Sequence, residues 1–132
     1  MNREFYQGGG VSHPVPEAHF ARTFELALAR SPYIDAWILE CDGSSAGYMQ
    51  VSLTYANDAG GVIVLLEELY VRPAFQGRGL GTEALDFVEA EFRGKAVLIS
   101  LEVMPENSGA IRLYQKRGYR SIVYQQMALP LT

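Results

Sequence analysis

Between an apolar run, Val62 to Tyr70, and an amphipathic run, Leu80 to Phe92, lies the segment Val71-Arg-Pro-Ala-Phe-Gln-Gly-Arg-Gly-Leu-Gly-Thr82. Its glycines at 77, 79 and 81 let backbone N–H groups converge without Cβ obstruction. The helix that follows adds partial positive charge at its N-terminus, so the segment is a ready cradle for an anion, above all a phosphate. A glycine-rich turn that caps a helix and binds nothing has the same local signature.

Three phosphate signatures compete for this loop. A P-loop needs a Lys-Ser/Thr pair after its last glycine, and Thr82-Glu83 does not supply one. The dinucleotide pattern G-x-G-x-x-G fits Gly77 and Gly79 but places Thr82 at its third glycine; Glu102 is the acidic partner it would need. That reading requires βαβ units, whereas the upstream residues read as antiparallel hairpins. The pattern Gln/Arg-x-x-Gly-x-Gly/Ala is met by Gln76, Gly79 and Gly81.

The elements that must hold the loop follow from periodicity. Phe20, Phe24 and Leu28 recur at helical spacing from Pro16 to Arg30, stopped by Ser31-Pro32. Residues 35–41 and 46–55 alternate like strands around Asp42-Gly43, a hairpin signal. Asn57 to Gly61 forms a second turn before the strand 62–71. After the loop, Leu80, Ala84, Leu85, Val88 and Phe92 share one helical face, ended by Arg93-Gly94-Lys95. A strand is expected over 96–103, a short helix from Asn107 or Ser108 to about Lys116, and a last strand over 119–129. The predicted order is α-β-β-β-α-β-α-β.

At 132 residues, with 48% hydrophobic and 20% charged content, the chain reads as a single globular domain, 1–132, able to bury one core without metal or disulfide staples. A net charge of −4 argues against nucleic acid as the main partner. The lone Cys41 excludes an internal disulfide, fits a cytoplasmic location, and is expected as a small core residue. Val62 to Leu66, the longest aliphatic run, is too short for a membrane span, and residues 1–5 carry no secretory signal. His13 and His19 have no metal-ligand spacing, so no metal is expected.

Beyond the loop, Leu101-Glu-Val103 precedes Asn107-Ser-Gly-Ala110-Ile-Arg-Leu-Tyr114, and Lys116-Arg-Gly118-Tyr119 closes the segment. Together with Gln76 to Gly81, about 30 residues upstream, these motifs and the element order from residue 16 onward resemble the GCN5-related N-acetyltransferase (GNAT) superfamily. The resemblance implies an α/β fold: a single layer of mixed sheet flanked by helices. One departure is that the family's first strand is missing here, and residues 1–6 look like the tail of its first helix. Either the start is truncated or the sheet has an open edge that a second copy would cover, making a homodimer.

The resemblance also implies acetyl-CoA as acyl donor and an amine as acceptor. Backbone N–H groups of Gly77, Arg78, Gly79, Leu80, Gly81 and Thr82 would hold the pyrophosphate, within the motif that Gln76 opens; Arg78 would add charge. Leu69 and Val71 would pair with the pantetheine arm, an amide near Leu69 polarising the thioester carbonyl. Asn107 would reach the same arm or simply cap its helix. Tyr114 is the implied acid for the leaving thiolate. Counting in twos along the strand puts Glu67, Leu69 and Val71 on one side and Glu68 and Tyr70 on the other. Glu67 therefore ranks first as general base, ahead of Glu102 and then Glu68, with polyamine and ribosomal-protein acetyltransferases as the respective likenesses. A glutamate cluster favours a cationic acceptor, a polyamine or lysine-like amine. Trp37, Tyr48 and Tyr70 are expected to pack the sheet, and Tyr55 to pack it or border the acceptor pocket. The alternative is a non-catalytic acyl-CoA-binding regulatory module.

Overall fold

The computed structural model describes Met1, Glu4, Phe5 and residues 15–131. Of residues 7–16, breaker-rich and expected as a loop, 7–14 with His13 lie outside the described residues, as do residues 2, 3 and 6 of the expected helix tail. The chain divides into two compact units, Met1–Glu102 and Val103–Thr132.

In the first unit, α1 (Glu17–Leu28) precedes the strands β1 (Ile34–Cys41), β2 (Ser44–Ala56) and β3 (Gly61–Val71), a 3₁₀ turn at Pro73–Phe75, α2 (Leu80–Phe92) and β4 (Leu98–Leu101). The four strands lie in the order β1-β2-β3-β4, the first three antiparallel and β4 parallel to β3. The sheet is thus mixed, and the antiparallel meander removes the dinucleotide reading of the glycine loop. The β1–β2 hairpin closes through Asp42 and Gly43 at φ 52° and 78°, the left-handed pair that suits the twist of a tight hairpin. Between β2 and β3 the strands approach so closely that a Cβ on Gly47 would collide with the carbonyl oxygen of Tyr70.

One sheet face carries the core. Met49, Val51, Val64 and Leu66 are buried with Ala84, Leu85, Val88 and Phe92 of α2. Trp37, paired with Met49, sets its ring edge-on to Phe87 at 5.3 Å and to Phe92 at 6.2 Å. Cys41, expected in the core, is only half-buried; its Sγ lies 3.9 Å from Asp42 Oδ2 and 3.9 Å from Arg78 Nη1.

The strand β3 is not regular. Gln50 pairs with Glu68 but Val51 pairs with Leu66, so Glu67 is an extra residue, a β-bulge. Cross-strand partners share a face. Leu66, Leu69 and Val71, opposite Val51, Met49 and Gly47, therefore share the α2 face, while Glu68 and Tyr70, opposite Gln50 and Tyr48, share the other. The count in twos is corrected at one position. Glu67 does not follow Leu69, because the bulge shifts the alternation; its Oε1 accepts from Ser52 Oγ at 2.9 Å on the Glu68 side.

In the second unit, α3 (Ser108–Lys116) is capped by Asn107, whose Oδ1 accepts from the Ala110 N–H at 3.2 Å. The expected last strand does not form: residues 119–131 have no strand structure, and all but Tyr119 are exposed. Alternating apolar residues favour a strand only when a neighbouring strand takes up their backbone hydrogen bonds.

Candidate active site

The last rung between β3 and β4 is Leu66–Leu101. Beyond it β3 continues from Glu67 to Val71 along β2 alone, so the sheet forks there. On the edge away from β2, this stretch of β3 backbone has no strand neighbour among the described residues, a place where an extended ligand can add hydrogen bonds. Leu69 and Val71 lie on this stretch. Glu67 and Glu102 each follow the last rung, one on either lip of the fork.

The glycine loop follows directly. Gly77 and Gly79 stand at φ 78° and 79°, and open space surrounds the position of a Cβ on each and on Gly81. Gly79 is the N-cap of α2, and the first N–H bond back into the helix runs from Glu83 to the Gly79 carbonyl at 3.0 Å. The amides of Leu80, Gly81 and Thr82 precede that bond, so they remain as donors for an anion on the helix axis. Gln76 folds back, its Nε2 donating to the Val71 carbonyl at 3.0 Å, which ties the loop to the end of β3. Arg78 is exposed and stacks over Phe75, 5.5 Å from guanidinium carbon to ring centroid. These residues fit a phosphate-bearing, extended substrate.

On the opposite face, α1 and the bulge enclose a cavity of about 230 Å³ lined by Val15, His19, Phe20, Thr23, Gln50, Glu67 and Glu68. Glu67 is exposed; Glu68 is buried, 8% accessible, and its Oε2 accepts from the Tyr48 hydroxyl at 2.6 Å. Beside them, Tyr70 donates to Glu4 at 2.9 Å, and Arg72 Nε stands 3.6 Å from the same carboxylate. Tyr55, weighed as a border of the acceptor pocket, does not line this cavity. Among the described residues no group of three His, Cys, Asp or Glu side chains is placed to hold a metal ion.

In the second unit, Tyr114 is half-buried with its ring edge-on to Tyr119 at 5.8 Å. Burial pushes its phenol above the usual value of 10.0, so the hydroxyl keeps its proton at neutral pH.

A family model described as Acetyltransferase (GNAT) family matches residues 2–119. The chain belongs to the GNAT acetyltransferases. A protein of Lactobacillus delbrueckii subsp. lactis, named an uncharacterized N-acetyltransferase in the pepI 3′ region, is 35% identical over 88 residues, 62% of this chain and 49% of that protein. The chain thus spans about half the length of that GNAT relative. An integron cassette protein from the mobile metagenome of Cole Harbour Salt Marsh superposes with a TM-score of 0.79 at 24% identity, over 98% of this chain and 79% of that one. AAC(6′)-Iy, solved with the bisubstrate analogue CoA-S-monomethyl-acetylneamine, gives 0.67 at 22% identity, over 95% and 91%. Both likenesses agree with the GNAT fold of this chain.

Two site features escaped the sequence: Tyr48 read as sheet packing, without its bond to Glu68, and Gln50 drew no attention. The consecutive Glu67-Glu68 in an otherwise apolar strand was the available signal of a bulge.

Proposed function

We propose that this chain is an acetyl-CoA-dependent N-acyltransferase that transfers acetyl directly to a primary amine. The observation that carries this is the forked sheet: strand pairing with β4 ends at Leu66, β3 runs on to Val71 with no strand neighbour on that edge among the described residues, and it leads into left-handed glycines at the start of α2. The donor's pyrophosphate lies on the amides of Gly77 to Thr82, its pantetheine arm along Leu69 and Val71, and Asn107 adds to the arm's contacts while capping α3. A backbone amide near Leu69 polarises the thioester carbonyl; one such donor is typically worth about 3 kcal/mol of transition-state stabilisation.

An alkylammonium with a pKa of about 10.4 has no lone pair and must lose a proton before it attacks. Glu67 and Glu68 border the cavity, and Glu102 begins the other lip of the fork, so carboxylates serve both to attract a cationic amine and to accept its proton. Tyr114, held protonated by burial, supplies the proton that the CoA thiolate needs. Polyamines and lysine-like amines fit this charge.

The test is a panel of primary amines incubated with acetyl-CoA and read by free thiol. Release of CoA with at least one amine is expected. Calorimetric binding of acetyl-CoA without release for any amine would instead make the chain an acyl-CoA-binding regulatory module.

A further inference from the structure

Glu67 and Glu68 are consecutive, yet the bulge gives them different environments. Glu67 is exposed and takes its hydrogen bond from Ser52, a small hydroxyl. Glu68 is buried, and its partner is a phenol whose ring is itself fixed. Tyr48 is 7% accessible, packs edge-on against Phe5 at 6.4 Å and lies 6.1 Å from Tyr70. Its reach to Glu68 is diagonal: Tyr48 faces Tyr70 in the register, and Gln50 faces Glu68. The 2.6 Å bond is in the range of charge-assisted O–H···O contacts, stronger than bonds between neutral groups.

We propose that Tyr48 is a positioning residue for the transfer reaction: its hydroxyl holds the Glu68 carboxylate at the cavity wall, where Glu68 accepts the acceptor's proton while Glu67 attracts the cation. This rests on the acyltransferase reading. In the step itself, Glu68 takes one proton from the ammonium and returns it to water. The amine lone pair then forms the C–N bond as the C–S bond breaks. The nitrogen loses its second proton as the departing sulfur gains one, so each turnover yields amide, CoA thiol and one released proton.

Among the described residues, the other ionisable groups on this face are Glu67 and Tyr70 of β3, Arg72 with its partner Glu4, and His19 of α1. Tyr48→Phe changes none of them and keeps the ring that packs on Phe5 and Tyr70. Removing a hydrogen bond to a carboxylate disfavours its charged form. The acidic limb of the pH profile of kcat/KM therefore moves to higher pH in Tyr48→Phe, and kcat/KM below the plateau falls roughly tenfold. Acetyl-CoA affinity stays as in the unaltered chain.

The experiment compares Tyr48→Phe, Glu68→Gln and the double variant with the best amine of the panel, alongside a ¹³C NMR titration of the glutamate carboxylates in which Glu68 is assigned by its loss in Glu68→Gln. Expected are the shifted limb, a higher Glu68 midpoint in Tyr48→Phe, and no further effect of Tyr48→Phe once Glu68 is Gln. An unmoved limb and midpoint with turnover intact would overturn the proposal alone, as would an undiminished Tyr48→Phe effect in the Glu68→Gln background. Acetyl-CoA binding with no amine acetylated would overturn the acyltransferase reading, and this proposal with it.

Discussion

Leu66 and Leu101 form the last rung between the parallel strands, and the residue that follows each in the chain is a glutamate, Glu67 within β3 and Glu102 just past the end of β4. Pairing stops where β3 gains its extra residue. The bulge removes Glu67 from the regular alternation, turns it toward Glu68, and leaves the following backbone for something other than a strand. One irregularity thus coincides with both the end of β3–β4 pairing and the gathering of two carboxylates on the other face.

Gly79→Val puts a β-branched side chain at φ 79°, a conformation such residues avoid at a strain of order 1–3 kcal/mol. The loop relieves that strain by rotating its amides away from the α2 axis. Isothermal calorimetry is expected to show acetyl-CoA affinity reduced at least roughly tenfold. Affinity equal to that of the unaltered chain would remove the glycine loop from the binding site.

Tyr114→Phe keeps the ring packing against Tyr119 and deletes the proposed acid. Turnover is expected to fall by roughly 10²-fold with acetyl-CoA binding retained, in line with loss of a general acid. Because the phenol is raised above 10.0, its own titration limb in the unaltered chain lies above pH 10. The stability contributed by the neutral phenol follows the same sign: it is present below the unfolded value and lost as pH rises through the folded one. Rate profiles and thermal melts between pH 9 and 11 check both.

Glu67→Gln removes an exposed charge at the cavity without disturbing the Tyr48–Glu68 bond. The amine's KM is expected to rise roughly five- to tenfold with little change in kcat, the signature of lost ground-state attraction. The rise should shrink in high salt, because exposed charges are screened. A large fall in kcat with constant KM would instead make Glu67 the proton acceptor. Glu102→Gln, run beside it, measures the other lip of the fork.

Leu85→Ala empties a fully buried position between α2 and the sheet. Loss of a buried leucine typically destabilises by about 2–5 kcal/mol through lost transfer energy and the cavity left behind. Urea denaturation should show a lower midpoint with an unchanged slope. A change below about 1 kcal/mol would mean that this face is not the core.

Much of this protein is legible in its sequence because the relevant physics is local. Gly77 and Gly79 announce left-handed turns, Asp42-Gly43 a tight hairpin, and Leu80, Ala84, Leu85, Val88 and Phe92 a helix face; each depends on dihedrals and spacing within a few residues. The motifs from Gln76 to Gly81 and from Asn107 to Tyr114 sufficed to point to the GNAT acetyltransferases. What only the tertiary structure decided is non-local. The side taken by Glu67 depends on the register between β2 and β3, a property of two strands that alternation along one strand cannot carry. The strand expected over 119–129 does not form, because a strand needs a partner as well as a pattern. Tyr48 acquires its link to Glu68 from a chain segment 20 residues away, through the fold that brings a phenol and a buried carboxylate within one hydrogen bond.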